Sequence, residues 1–327
     1  MIKAEVVADS ISTEEKRLTT FKVRYPWFIH GEVMTHRVLS RNASSNRAIP
    51  LRKMLEEARS DELRAEPVYW GAEQKGMEPG GELTDETSPG KFAAYSPQAC
   101  ARIAWREAAF SAAACAEAMG SYGLHKSLCN RLLMPFTHAN VVLTATEWGN
   151  FFRLRLDKAA DPTMRALAEA MWVVMQESKP KLLRSGEWHL PFADNSQDWD
   201  EIETAEVDEA AIDKTLIKIS VARCARVSYE SFETGKRSTV EEDLKLYDRL
   251  LASRPVHASP AEHQATPDTK IYCADAFHDQ YYSSMTMDDN GYAWENPQEH
   301  GNLVGWRQYR KMLPGENCAP LPESYRK

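Results

Sequence analysis

From Ser96 to Gly120 the chain reads SPQACARIAWREAAFSAAACAEAMG, a stretch rich in alanine. Ser96 followed by Pro97 makes a favourable N-cap and N1 pair, and Gly120 supplies a stop, so the stretch predicts one long helix. The first fifty residues carry a different period. Alternation in Lys3 to Val7, in Leu18 to Val23 and in Phe28 to Val33 predicts strands, with Pro26 interrupting before the third. The chain therefore has to join a strand-rich opening to a helical middle.

Further elements follow the same rules. Leu124 to Leu133 predicts a helix that stops before Pro135, and Thr163 to Glu177 another with Leu167, Met171 and Met175 on one face. Val141 to Ala145 fits either a short strand or a buried helical segment, which periodicity alone does not separate. Tyr69 to Gly90 lacks helical periodicity and reads as a surface excursion or lid, and Asp268 to His300 is a second excursion, rich in Tyr and Asp. Asp194 to Ala211 is acidic and reads as a linker. Beyond it, Leu216 to Val221 predicts a strand, and Val240 to Leu251 a helix with Leu244, Tyr247, Leu250 and Leu251 on one face. The segment NLVGWRQYRKMLPGEN starts as an amphipathic helix and turns at Pro314 and Gly315.

Composition bounds the function. With 327 residues, 43% hydrophobic and 27% charged, and a mean hydropathy of -0.53, the chain reads as a soluble globular protein. Its length gives a prior of about two domains. No apolar run approaches a membrane span, and MIKAEVVADS has no signal-type apolar region, so a cytoplasmic location is expected. A net charge of -8 opposes non-specific binding to polymeric nucleic acid or an acidic membrane. Six scattered cysteines without a CxxC pair predict reduced thiols.

Against this acidic background, no acid occurs between Glu32 and Glu56, whereas Arg37, Arg41, Arg47, Arg52 and Lys53 all do, interleaved with His36, Ser40, Ser44 and Ser45. Guanidinium groups bind phosphate with paired donors and hydroxyls add neutral ones, so the island suits a phosphorylated ligand as well as it suits a solvated basic face. A second basic set comprises Arg131, then Arg153 and Arg155 in NFFRLRL. An extended segment places Arg153 and Arg155 on one side; a helix separates them by about 200°. A charge inside so apolar a run needs a partner.

The block THRVLSRNASSNR carries a resemblance. His36-Arg37, seven residues, Ser45 and then Arg47 closely resemble the RHRx7S signature of flavin-dependent thymidylate synthases, with Ser40 and Asn42 matching its longer form. Arg131 before LLMP resembles the family's R-x-x-L-P element, and Asn150 to Arg155 its N-F-x-x-L-R element. Two positions depart: Thr35 stands for the first Arg and Ala43 for the usual Glu. The family's upstream H-x-S-P-x-E-H element is missing from this half. It occurs in the other half as His257-Ala-Ser259-Pro260-Ala-Glu262-His263, and WRQYRKMLPGEN resembles a degenerate signature through Gln308, Arg310 and Glu316.

The resemblance implies an α+β fold, a mixed sheet with long packed helices, with an internal partial duplication. It divides the chain into residues 1–193, an acidic linker 194–213 and a second, partial unit 214–327. It implies reductive methylation at C5 of dUMP, with 5,10-methylenetetrahydrofolate, FAD and NADPH, in a homo-oligomer whose sites are shared between chains. Large proteins of this arrangement resemble phage-encoded members, which implies a host cytoplasm. By resemblance, Ser45, Arg47, Arg131, Arg155 and Glu316 bind the nucleotide. His36, Arg37, Ser40, Asn42, Asn150, His257, Gln308 and Arg310 bind cofactor, and Arg155 and His263 are catalytic, Arg155 by polarising the pyrimidine ring. No metal is expected, because His257, Glu262 and His263 lack HExxH spacing. The departures at Thr35 and Ala43 leave open C5 methyl or hydroxymethyl transfer on dCMP or dUMP, and the division of motifs leaves open a non-catalytic nucleotide-binding relic.

Overall fold

The computed structural model describes residues 1–84, 95–193, 198, 201–202, 211–228, 238–252, 256–273 and 286–316. β1 (Lys3–Ser12) and β2 (Arg17–Pro26) pair antiparallel, in keeping with their alternation. Phe28 to Val33 does not form the expected strand. Trp27–Ile29 is a 3-10 turn and α1 (His30–Val33) a single helical turn, with Ile29 and Val33 buried at helical spacing. β3 (Ser40–Ala43) carries Arg41 of the basic island and α2 (Leu51–Arg59) its Arg52 and Lys53, while Arg37 and Arg47 lie in the turns before and after β3. α3 (Pro97–Ser121) starts where its cap predicts, Ser96 Oγ accepting from the Ala99 amide at 3.3 Å. α4 (Lys126–Leu133) precedes β4 (His138–Ala145), which is buried along its length and settles Val141 to Ala145 as strand. α5 (Gly149–Arg155), α6 (Pro162–Glu177) and β5 (Lys181–Leu183) complete the first part.

In the second part, α7 (Ile212–Ala225) is a helix where Leu216 to Val221 predicts a strand. Ile217, Ile219, Ser220 and Val221 are all buried, so protein surrounds the segment and no period marks its type. α8 (Val240–Ala252) agrees with its pattern. After a 3-10 turn at Ser259–Glu262 come β6 (Ala265–Pro267), β7 (Lys270–Tyr272), β8 (Tyr292–Trp294) and β9 (Trp306–Gln308). The helix expected at NLVGWRQYRKM is therefore corrected. Trp306–Gln308 pairs with β6 in a ladder, and Tyr309–Met312 is a 3-10 turn.

The five-stranded sheet has the order β3-β4-β2-β1-β5 and is mixed, since only β1 and β5 run parallel. One face is apolar: Phe21, Val23, Tyr25, Val141 and Leu143 pack against Trp148, Phe151 and Phe152 around α5 and Met164, Leu167 and Met171 of α6. The other face presents Ser10, Thr20, Val142 and Thr144, and the C-terminal part covers it. Val142 meets Cys224 and Val227, while Leu18 meets Leu183, Leu303 and Trp306. Polar atoms are met as well. Ser10 and Thr20 bond the two ring nitrogens of His189 at 2.8 Å each, Thr20 bonds Thr144 at 2.7 Å, and Thr144 bonds His263 Nδ1 at 2.8 Å. No second five-stranded sheet occurs among the described residues; the remaining strands form two-stranded pairs.

Two described residues of the acidic stretch, Asp198 and Ile202, are fully buried. Arg223 of α7 makes a bidentate pair with Asp198 (2.9 and 3.0 Å) and reaches Asp243 of α8 at 2.8 Å; Arg226 also reaches Asp243, at 2.9 Å. Near the end of the chain Gly301 has φ +59°, and a Cβ there would lie 2.7 Å from Gln308 Oε1. Gly301→Ala is expected to cost about 1–2 kcal/mol from the left-handed backbone alone, read as a lowered urea midpoint; an unchanged midpoint would show that the turn relaxes freely. Among the described residues no helix is long and apolar enough to cross a membrane.

Candidate active site

Site geometry begins at the turn after α1. His36 is buried, its ring edge-on to Phe151 with centroids 4.9 Å apart. Arg155 Nε donates to His36 Nε2 at 2.8 Å, Nη2 to Thr35 Oγ1 at 3.1 Å and Nη1 to Glu32 Oε2 at 3.4 Å. A guanidinium only donates, so His36 Nε2 is the acceptor and the ring is neutral with its proton on Nδ1. Burial, then the charges of Arg155 and Arg41, push the His36 pKa below the usual imidazole range and favour that state. Burial, with Asp161 behind it, raises Glu32 against the pull of Arg155. Because α5 is a helix, Arg153 and Arg155 diverge: Arg153 is exposed and Arg155 turns in toward His36.

β3 is the sheet edge at which the two parts meet. Ser40 Oγ accepts from Asn302 Nδ2 at 3.0 Å and Gln308 Nε2 at 3.2 Å; Gln308 Nε2 also reaches the Glu262 carbonyl at 3.0 Å. Asn42 Nδ2 donates to the Cys224 carbonyl at 2.6 Å, and its Oδ1 lies 3.5 Å from Ser259 Oγ. The Ser45 amide donates to Ser228 Oγ at 2.7 Å. On the far side, Asn130 Nδ2 donates to the carbonyls of Asn46 (2.7 Å) and Ile49 (3.0 Å), which fastens the helix carrying Arg131 to the loop carrying Arg47. The signature, the helix before β4, α5 and the HASPAEH segment thus converge around one edge.

The expected site residues divide into two groups. Ser40, Asn42 and Gln308 use their side chains on protein partners. So does Arg310, whose Nη1 donates to Glu262 and whose Nε donates to Glu316 at 2.9 Å; Lys311 also pairs with Glu316, at 2.8 Å. Burial opposes ionisation of Glu316, yet Lys311 and Arg310 hold it below the ordinary carboxylate range, while burial raises Glu262 despite Arg310. His263 is fully buried, bonded to Thr144 through Nδ1, with Nε2 enclosed and unpartnered. In contrast, Arg37, Arg47 and Arg131 are exposed and form no side-chain bond or ion pair among the described residues; Asn150 and His257 are exposed too. Glu32 and Glu262 are not among the residues expected to bind nucleotide or cofactor. Glu262 sat in plain view inside HASPAEH, whereas nothing local marks Glu32 as a partner of Arg155. No three His, Cys, Asp or Glu among the described residues are grouped to hold a metal.

Solved structures that resemble the chain include two of one enzyme. A UMP/dUMP methylase, PolB from Streptomyces cacaoi, bound with 5-Br UMP, is 17% identical, over 54% of this chain and 89% of that one, with a TM-score of 0.39. The same enzyme bound with 5-Br dUMP gives 16% identity, 54% and 90% coverage and a TM-score of 0.40. No curated protein matches the chain. The model of the thymidylate synthase complementing protein family matches residues 8–181, more than half of the sequence and the whole of the signature, α4 and α5 region described above, so the chain belongs to that family.

Proposed function

We propose that the protein is a flavin-dependent thymidylate synthase that methylates C5 of dUMP, with 5,10-methylenetetrahydrofolate as carbon donor and NADPH as reductant. One observation carries the reading. Among the described residues Arg37, Arg47 and Arg131 are exposed and form no side-chain bond or ion pair, Arg37 following the neutral, Arg155-bonded His36 in the chain, while the carboxylates Glu32, Glu262 and Glu316 are each paired to a cation. An unpaired set of guanidiniums suits phosphate and pyrophosphate groups, so the donors fit FAD and a nucleotide. Bound FAD would supply hydride transfer.

The chain's own residues would hold and polarise. Ser45 with Arg47 and Arg131 would take the nucleotide phosphate, and Arg37, Asn150 and His257 the cofactor. Arg155, fixed by Glu32, Thr35 and His36, keeps a second hydrogen on each of Nη1 and Nη2 for a ring carbonyl, which would raise the nucleophilicity of C5. Buried His263 and Gln308 would act by position, fastening HASPAEH and β9 to the signature strand. Exposed Phe28, Met34 and Val38 lie close to Arg37 in the chain, which fits a homo-oligomer with sites shared between copies. We read residues 1–193 and 214–327 as two parts that build one kind of site.

The test is product analysis with dUMP and with dCMP, each given methylenetetrahydrofolate, NADPH and FAD. dTMP from dUMP is expected. A methylated or hydroxymethylated dCMP product would move the substrate, and consumption of neither nucleotide would overturn the enzyme reading. Arg155→Ala is expected to lower turnover about 10²–10³-fold with flavin still bound; loss of flavin together with turnover would make Arg155 a structural residue instead.

A further inference from the structure

We infer that Arg41 anchors a phosphate group of the bound nucleotide, a role that rests on the nucleotide-binding reading above. Arg41 lies on β3 opposite Leu143 and is half-buried. Its Nη1 donates to the Met34 carbonyl at 2.7 Å and lies 3.5 Å from that of His36, so the guanidinium is held against the backbone on both sides of residue 35. Nε and Nη2 form no hydrogen bond to a described residue, and Arg41 has no ion pair among them.

The surroundings leave this charge available. Glu262, whose ionisation the charge of Arg41 favours, is already committed to Arg310, and Glu32 is committed to Arg155. His36, close enough to feel Arg41 and Arg155 together, is neutral. Thr35, which accepts from Arg155 and lies in the chain between the two residues whose carbonyls Arg41 approaches, donates its hydroxyl to the Glu32 carbonyl at 2.6 Å and brings no charge of its own. A cation fixed by carbonyls, oriented, and without an ion pair among the described residues is prepared for an anion. Its open Nε and Nη2 present the forked pair of donors that a phosphate oxygen pair accepts. That phosphate can belong to the nucleotide monophosphate or to a dinucleotide's pyrophosphate, and the chemistry is shared.

Calorimetric titration of wild type, Arg41→Gln and Arg41→Lys with dUMP, deoxyuridine and FAD separates these cases. Arg41→Gln is expected to weaken one phosphate ligand about 10–100-fold, with deoxyuridine affinity and the urea midpoint unchanged and partial recovery in Arg41→Lys. A loss confined to dUMP assigns the monophosphate; a loss confined to FAD assigns the pyrophosphate. Wild-type affinity of Arg41→Gln for both ligands, or an equal loss for deoxyuridine, overturns the inference alone. A wild-type protein that binds neither dUMP nor FAD overturns the nucleotide reading and the inference with it.

Discussion

Replacing Arg223 with methionine is expected to remove about 3–5 kcal/mol of folding stability, the scale for breaking a buried ion pair from one side. The guanidinium is 9% exposed and both carboxylates it serves, Asp198 and Asp243, are fully buried. It also donates to the Phe192 carbonyl at 2.8 Å, so one side chain ties the acidic stretch, α7 and α8 together. Methionine preserves volume but leaves Asp198 without its bidentate donor and Asp243 with Arg226 and Ser238. Urea denaturation should show the loss. The double variant Arg223→Met, Asp198→Asn should recover much of it, because the penalty belongs to the uncompensated charge on Asp198, Asp243 keeping Arg226. A loss below about 1 kcal/mol in the single variant would mean that water reaches the cluster.

Acid should destabilise the protein through His189 and His263. Burial pushes both down to about 3, with repulsion between the two rings adding to the effect on His263. Their folded values lie below the ordinary imidazole value, so the unfolded chain takes up protons first. The stability they confer is complete above about pH 6.5 and is lost as pH falls toward 3. Between pH 7 and pH 5 the two rings together should remove on the order of 4 kcal/mol. Urea midpoints across this range test it: a His189→Gln, His263→Gln variant should show a much flatter profile than wild type, whatever its stability at pH 7. Parallel profiles would place the acid sensitivity elsewhere.

Where the sequence carried a strong local signal, the fold followed it. β1 and β2 alternate because only one of their faces meets α5 and α6, and α3 starts at Ser96 because its hydroxyl caps the helix. Where tertiary contacts decide, local pattern misled. Trp306 to Gln308 becomes a strand because β6 offers it a ladder, and α7, enclosed by protein, has no period to read. The motifs were legible, but their joining was not. Gln308 and Asn42 have the residue types of ligand contacts, yet both hold the two parts of the chain together. The split of motif elements between the halves reads in sequence as two copies; in space the C-terminal elements cover the free face of a single sheet.

The bond between Ser40 and Gln308 spans 268 positions. Ser40 belongs to an edge strand, and on a ribosome that strand is made long before the residues that hold it. Its closure therefore waits for nearly the whole chain, and contacts this distant slow folding. Until then the signature strand is an open edge, the kind of surface on which incomplete chains pair with one another. Synthesis that stops before α7 would yield a chain with every arginine of the signature in place and none of Cys224, Ser228, Ser259, Asn302 and Gln308 to close the edge beside them.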